Sequence, residues 1–340
     1  MGRLTNVAKD TQEVETYTYD ANGNRQSATV NGTSISASYT LDDNLVVYGD
    51  NTYKYDADGY LEKKVTPDGT STYSYGTMGE LLSVTTPTKT ITYKHNANNQ
   101  RVAKLVDGTV VEKYLWANLT TLLAVYDSSD NLVQRFEYAD NRMPVAMTQG
   151  ADKYYLHYDQ VGSLRVVTDS SHSIIKEISY DTYGNVLSDS DEAFTVPFGF
   201  AGGLYDQDTR LTRFGYRDYD AYAGKWTAKD PIGFDGGDSN LYGYVLGDPV
   251  DFVDPMGLEE TITPVEPIGI SEDPGAGIDK PWPDAPHTRP DDSSDAALNK
   301  HKNWRKCLGK YCDIMIKWDE EGYDTMDQDE WGDICDYNSL

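Results

Sequence analysis

The feature that most constrains this chain is a short repeat, Tyr-Asp-x-x-Gly, followed by a segment in which polar and apolar residues alternate. Clear copies begin at Tyr19, Tyr55, Tyr158 and Tyr180, and weaker copies begin at Tyr39, Tyr75, Tyr93 and Tyr126. From Tyr19 to Tyr93 the anchors fall 16 to 20 residues apart. Because this spacing is the length of one β-hairpin, the sequence predicts a series of hairpins that pack on their neighbours.

The repeats carry their own turn residues. Asn31-Gly32 suits a type I′ turn, in which both central residues need a positive φ. Later copies have Pro67-Asp68-Gly69, Pro87-Thr88, Asp107-Gly108 and Asp169-Ser170-Ser171 at the corresponding place. The Asp of each Tyr-Asp can accept hydrogen bonds from the turn backbone, and the Gly can adopt a positive φ. Four copies in phase with independent hairpin turns are more than the ordinary abundance of Tyr, Asp and Gly in turns explains.

Composition and charge agree with a β protein and exclude two classes of partner. Twenty-seven Tyr and 29 Gly against 7 Phe favour strands and turns. A net charge of -27 argues against binding to nucleic acid or insertion into an anionic membrane, since both need clustered Lys and Arg.

The chain shows no secretory signal and no apolar run long enough for a membrane helix. We therefore expect a cytoplasmic protein that reaches the cell surface or medium by a route not visible in this chain.

A second feature is the stretch from Lys229 to Leu258. Two Asp-Pro-x-Gly units, residues 230–233 and 254–257, bracket a short aromatic and apolar segment, and the composition changes abruptly after Leu258. A single Asp-Pro-x-Gly is nearly always an ordinary turn. Two copies, a closing Leu and the break after it instead favour a processing site.

These residues resemble the YD repeats of the RHS family, which includes bacterial polymorphic toxins, shell components of insecticidal toxin complexes and animal teneurins. The resemblance covers nearly all of residues 2–258. It is most specific from Tyr158 onward, where residues 159–163 resemble the Asp-His-Leu-Gly-Ser element that opens the RHS repeat-associated core domain, with Gln160 and Val161 in place of His and Leu. Lys225 and Trp226 stand where Arg and Phe are more usual.

The resemblance implies a mainly β fold of antiparallel β-hairpin repeats forming a spiral or partial shell. Residues 1–150 would be the spiral, and residues 151–258 a plug-like core-associated domain and possible autoprotease. Some family members cut themselves after the Leu of the second motif. Because family shells are much longer and Gly2-Arg3-Leu4 reads as the latter half of a repeat, we expect a truncated module with an open shell.

By the same resemblance the scissile bond would join Leu258 to Glu259, and Asp230 and Asp254 would be the catalytic acids. Two carboxylates held close together and away from water cannot both ionise, so the pKa of one rises. The ionised member can then take a proton from water while the neutral member donates one. This division of roles is that of an aspartyl-type protease acting once on itself.

A cation near the two acids could keep one carboxylate ionised. The candidates are Lys225, Lys229, Arg213 and Arg217, and the sequence does not choose among them. Three further acids, Asp238, Asp248 and Asp251, are interpreted as turn residues. The five His lack metal-ligand spacing and no cofactor motif occurs, so we expect neither a metal nor a cofactor.

The residues after Leu258 form a different kind of segment. Residues 259–293 read as an acidic Pro/Gly linker, and residues 294–340 as a variable tail. Within the tail one amphipathic helix is predicted from the spacing of Trp304, Leu308, Tyr311, Met315 and Trp318. The three Cys, an odd number, are Cys307, Cys312 and Cys335; a bridge from Cys335 to either of the others is one option, and at least one thiol stays free or intermolecular.

Three functions remain open at this level. In the first, the protein encloses and cleaves off a C-terminal effector in bacterial competition or toxin delivery, with its own C-terminal segment, an immunity protein and a secretion-system component as partners. In the second it is a non-enzymatic cell-surface or carbohydrate-binding protein. In the third the tail is an independent toxin enzyme carried by the repeats.

Overall fold

The computed structural model describes residues 2–139, 142–259 and 261–262. These residues contain twenty-five strands and three short 3-10 helices, Phe200–Gly202, Gly233–Gly236 and Val245–Gly247. The strands are β1 (Asn6–Lys9), β2 (Gln12–Tyr19), β3 (Arg25–Val30), β4 (Thr33–Tyr39), β5 (Leu45–Tyr48), β6 (Asn51–Tyr55), β7 (Leu61–Thr66), β8 (Gly69–Tyr75), β9 (Leu81–Thr85), β10 (Thr90–His95), β11 (Arg101–Val106), β12 (Thr109–Trp116), β13 (Leu122–Tyr126), β14 (Leu132–Tyr138), β15 (Pro144–Gln149), β16 (Asp152–Tyr158), β17 (Leu164–Asp169), β18 (Ile174–Tyr180), β19 (Val186–Asp189), β20 (Leu204–Asp206), β21 (Leu211–Phe214), β22 (Arg217–Asp220), β23 (Lys225–Trp226), β24 (Phe252–Val253) and β25 (Thr261–Ile262).

The first nineteen strands form one antiparallel ladder in chain order. Each strand from β1 to β18 pairs with the strand that follows it, so every connection is a hairpin. The predicted mainly β fold of hairpin repeats is confirmed. The helix and the cysteines predicted for residues 294–340 lie outside the described residues.

The repeat Tyr closes a strand and the next residue opens a five-residue turn. In the first clear copy the Asp20 backbone N–H donates to the Asn24 carbonyl, and Asp20 Oδ1 accepts from the backbone N–H groups of Asn22 and Asn24, each at 2.9 Å. Gly23 takes a φ of 85° in the fourth turn position. A β-branched residue would be strained at this φ, which explains why the repeat has Gly at this position.

The same turn also forms where the repeat is weak. Asp127 accepts from the backbone N–H groups of Ser129 and Asn131 in the same way, and Asp130 takes the positive φ, 64°. Residues with short polar or imidazole side chains occupy that position in other five-residue turns, namely Asp43, Asn99 and His172. In the copy predicted at Tyr93, the strand instead ends at His95. The turn geometry therefore recurs more often than the Tyr-Asp-x-x-Gly letters do.

A second, four-stranded sheet, β20 to β23, packs against the ladder. Its central strands β21 and β22 are buried at every position. One face carries Phe214, Tyr219 and Trp226, which pack with Tyr244 and Val253 in a common core. Because side chains alternate along a strand, the neighbouring residues point to the opposite face, toward the ladder.

The face toward the ladder is largely charged. Asp218 of β22 contacts Arg101 of β11 and Arg213 of β21, with both nitrogen–oxygen distances 2.8 Å. Asp220 contacts Lys64 of β7 at 2.6 Å. Ion pairs between buried side chains thus join this four-stranded inner sheet, β20 to β23, to two strands of the ladder, β7 and β11.

We expect Asp218→Ala to lower the free energy of unfolding by about 3–5 kcal/mol, because it leaves two guanidinium groups buried without their carboxylate. Glu62→Ala, which removes the exposed Lys54–Glu62 pair, is the matched control and should cost less than about 1 kcal/mol. Urea unfolding of the full chain measures both. Equal effects would show that the buried pairs do not hold the two sheets together.

Candidate functional site

The site is organised by Arg217 at the start of β22. Its side chain lies on the face of the inner sheet that bears the aromatic core, with the guanidinium carbon 4.3 Å from the centre of the Trp226 ring. Arg217 Nη2 contacts Asp230 Oδ2 at 2.8 Å and Asp254 Oδ2 at 3.3 Å. The two carboxylate oxygens therefore lie no further apart than the sum of these distances. The remaining donors of Arg217 bind the carbonyls of Gly257 and Leu241.

Each acid is held by its own Asp-Pro-x-Gly turn. Asp230 Oδ1 accepts the Ile232 backbone N–H at 2.9 Å, while the Asp230 backbone N–H donates to the Leu241 carbonyl. Asp254 Oδ1 accepts the Leu258 backbone N–H at 3.0 Å. The second turn thereby ties one catalytic candidate directly to the residue that precedes the predicted scissile bond.

The carbonyl of Leu258 lies close to the first acid. A Cβ placed on Gly236 would meet the Leu258 carbonyl oxygen at 2.6 Å and Asp230 Oδ2 at 2.9 Å, so the two oxygens flank the same side of this glycine. A cavity of about 20 Å³ is lined by both acids, Arg217, Gly236 and Leu258. Since a buried water needs only about 10–15 Å³, the cavity has room for one.

The chain beyond the predicted scissile bond turns back on the site. Strand β25 pairs with β24, and Thr261 Oγ1 donates to the Val253 carbonyl at 3.2 Å. The bond between Leu258 and Glu259 consequently lies in the connection of a short hairpin. Leu258 is half-buried and Glu259 is exposed.

The electrostatics favour a pair of acids that retains a proton. Burial raises the pKa of Asp254 to about 6, against the opposing influence of Arg217 and of the Leu258 and Gly257 N–H groups. Burial also raises the pKa of Asp230, again opposed by Arg217. Arg217 thus reduces the repulsion between the carboxylates without removing the cost of burying their charges.

The other candidate cations lie elsewhere. Lys225 Nζ donates to Asn24 and Asn240, Arg213 pairs with Asp218, and the Lys229 side chain lies against Gly59 of the ladder. Of these four described cations, Arg217 alone contacts Asp230 and Asp254. The sequence could not select it, because the choice depends on which face of β22 meets the turns.

Asp238, Asp248 and Asp251 occupy turns. Asp238 Oδ1 accepts the Asn240 backbone N–H at 2.8 Å and lines the cavity, while Asp248 accepts the Asp251 N–H. Sequence reasoning missed Gly236, whose missing side chain admits Leu258. Its only signal was its place in the Gly-rich segment after Asp230.

The described part of the chain contains neither a candidate metal-binding cluster nor a candidate membrane helix. No group of three or more His, Cys, Asp and Glu side chains is placed to hold a metal ion. No helix there has the length and apolar character needed to cross a membrane.

A ladder of Tyr-Asp hairpins packed on a buried inner sheet defines the class as a YD-repeat β protein. The family model described as Teneurin YD-shell matches residues 1–244. The chain belongs to this family, and the resemblance to YD-repeat proteins is confirmed.

Individual relatives come from bacteria and animals. The chain is 30% identical over 270 residues to the tRNA3(Ser)-specific nuclease WapA of Bacillus spizizenii, covering 75% of this chain and 11% of that protein. It is 30% identical over 254 residues to Teneurin-3 of Mus musculus, covering 71% and 9%. The chain therefore spans about a tenth of the length of these relatives.

The fold is shared with a solved structure of low sequence identity. The crystal structure of TcdB2-TccC3 superimposes with a TM-score of 0.56 at 19% identity, over 73% of this chain and 14% of that chain. At this identity the likeness concerns the fold alone.

We expect the buried Asp254 carboxyl to make stability depend on pH in a particular direction. Its pKa is about 6 when folded and ~3.9 when unfolded, so the folded state binds the proton more tightly. The protonated Asp254 carboxyl therefore adds to the free energy of unfolding at low pH, by up to roughly 3 kcal/mol. This stabilisation is lost as pH rises from about 4 through about 6.

Urea unfolding at several pH values measures this effect. Relative to Asp254→Asn, the parent chain should lose stability over that interval and change little above it. Asp251→Asn, a change at an exposed residue of the same segment, should keep the parental slope. Parallel profiles for the parent and Asp254→Asn would refute a raised pKa.

Proposed function

We propose that this protein cuts its own chain once, between Leu258 and Glu259, with Asp230 and Asp254 as the acids. The observation that carries the proposal is that Arg217 contacts both carboxylates while the Leu258 N–H donates to Asp254. Two acids, a cation and a specific peptide bond are thus brought together by residues far apart in sequence.

The reaction would be hydrolysis by a water in the cavity beside Leu258. Asp230, ionised, takes one proton as the water oxygen bonds to the Leu258 carbonyl carbon. The bond to the Glu259 nitrogen then breaks, and Asp254, which holds its proton up to pH of about 6, protonates the leaving amine. The products are a C-terminal Leu258 carboxylate and an N-terminal Glu259 amine. Arg217 offsets the negative charge that remains on the acids.

We extend the proposal to the purpose of the cut. The segment that begins at Glu259 would be a C-terminal effector carried by the repeat body and released outside the producing cell, as in bacterial competition. Two things support this role: the chain shares its fold family with WapA, a bacterial protein named as a tRNA nuclease, and the candidate site sits at the junction with the tail. An immunity protein would be the expected partner of a toxic tail.

The parent chain should separate into fragments of residues 1–258 and 259–340, as seen by intact mass. Asp230→Asn and Asp254→Asn should each abolish the cut, because each removes one of the two proton-transfer groups. Cleavage should slow as pH rises above about 6, since Asp254 must be protonated.

Asp251→Asn is the matched control for loss of a charge and should cut like the parent. A parent chain that stays intact over days at several pH values would overturn the proposal. Cleavage at another bond, or unchanged cleavage in both acid variants, would overturn it as well.

Gly236→Ala tests the close approach of Leu258. Its Cβ would lie within 2.9 Å of both the Leu258 carbonyl oxygen and Asp230 Oδ2, so one of them must move. We expect cleavage to slow by about 10²-fold, the effect of misplacing reacting groups by about 1 Å. In Gly233→Ala, a change in the same loop, the Cβ meets nothing within 4 Å, so only the strain of the positive φ, 62°, remains and the rate should fall less. Intact mass against time gives both rates, and equal rates would exclude this geometry.

A further inference from the structure

A second cavity, of about 40 Å³, lies between the ladder and the inner sheet, away from Asp230. Three arginines line it: Arg101 from β11, Arg213 from β21, and Arg142, which precedes β15. The rest of the lining includes Gln100 and the aromatic ring of Trp116. Among the described residues, no acidic side chain lines this cavity.

The two innermost arginines share a single carboxylate. Arg101 Nη2 and Arg213 Nη1 each contact one oxygen of Asp218 at 2.8 Å. Arg101 and Arg213 are only 3% and 5% exposed. Arg101, Arg213 and Asp218 together therefore carry one buried positive charge in excess, and an uncompensated buried charge is destabilising.

Asp218 and more distant groups raise the pKa of Arg101 against its burial, whereas burial lowers the pKa of Arg213, so the excess charge is less well balanced at Arg213. Asp206 acts on Arg101 from a distance but is itself paired with Lys104 at 2.9 Å. Glu80 is the weakest of the influences on Arg213. Arg142 also lines the cavity, where Nη2 donates to the carbonyls of Val161 and Ala201.

Unsatisfied donors accompany the charge. Arg101 Nε and Arg213 Nε are both buried and have no hydrogen-bond partner in the described structure. His95 beside them reports the same positive environment, because burial, Arg213 and Arg101 together lower its pKa to about 3. A water could satisfy an N–H group, but only an anion would also balance the charge.

We propose that this cavity binds a small inorganic anion of halide size, with Arg101 and Arg213 providing the positive charge. The volume, about 40 Å³, limits the ligand to a few atoms. The aromatic and aliphatic part of the lining favours a weakly hydrated monovalent ion over a large polyanion. Chloride matches this description, and bromide is its heavier probe. The site is independent of the proposed cleavage.

The first test is thermal unfolding of the full chain at constant ionic strength, with sodium gluconate replaced stepwise by sodium chloride. An ion that binds only the folded state should raise Tm by roughly 2–4 °C once its concentration is several times its Kd. Leu119 lines the cavity and is half-buried, so a carboxylate there can occupy the anion's place. Leu119→Glu should lose the chloride response, and Leu119→Gln, of the same shape but uncharged, should keep it.

The second test locates the ion. Crystals grown or soaked in sodium bromide should show an anomalous peak in the cavity between Arg101 and Arg213. Arg213→Gln should lose the peak, and Arg135→Gln, which changes a more exposed arginine, should retain it. The proposal is overturned if the bromide peaks lie only elsewhere, or if Tm is the same in chloride and gluconate.

Discussion

The constraint on which the structure depends is that the inner sheet is buried on both faces while carrying charged side chains. Asp218 and Asp220 cannot reach water, so each must meet a cation from the ladder. Arg101 and Lys64, which come from hairpins well separated along the chain, meet this need. Hairpins that contact only their neighbours through backbone hydrogen bonds are thereby attached to a common centre.

The same alternation that sends Asp218 toward the ladder sends Arg217 the other way. On that face Arg217 lies over Trp226, where burial strengthens its attraction for carboxylates. The acids of both Asp-Pro-x-Gly turns contact this guanidinium, and Leu258 is held near them because its backbone N–H donates to Asp254. The candidate site and the attachment to the ladder are therefore two consequences of one strand, β22.

Much of the ladder was predictable because its determinants are local. Asn31-Gly32 predicts a two-residue turn, and both residues adopt a positive φ of 49° and 80°. The copy at Tyr126 read as weak because Asp130 replaces Gly, although Asp tolerates the same left-handed conformation. The two acids and Leu258 could be proposed from the motif pair. Gly236 and the choice of Arg217 could not, because both depend on contacts between distant segments.

The sequence by itself determined the hairpin repeat, its turns and the two Asp-Pro-x-Gly units, because each depends on the conformational preferences of a few adjacent residues. Only the tertiary structure decided which cation joins Asp230 to Asp254 and which charges of the inner sheet meet the ladder. It also decided that Arg101 and Arg213 share one carboxylate. Those outcomes depend on the face that each strand presents once it is buried, and strand pairing and packing set that face across more than a hundred residues.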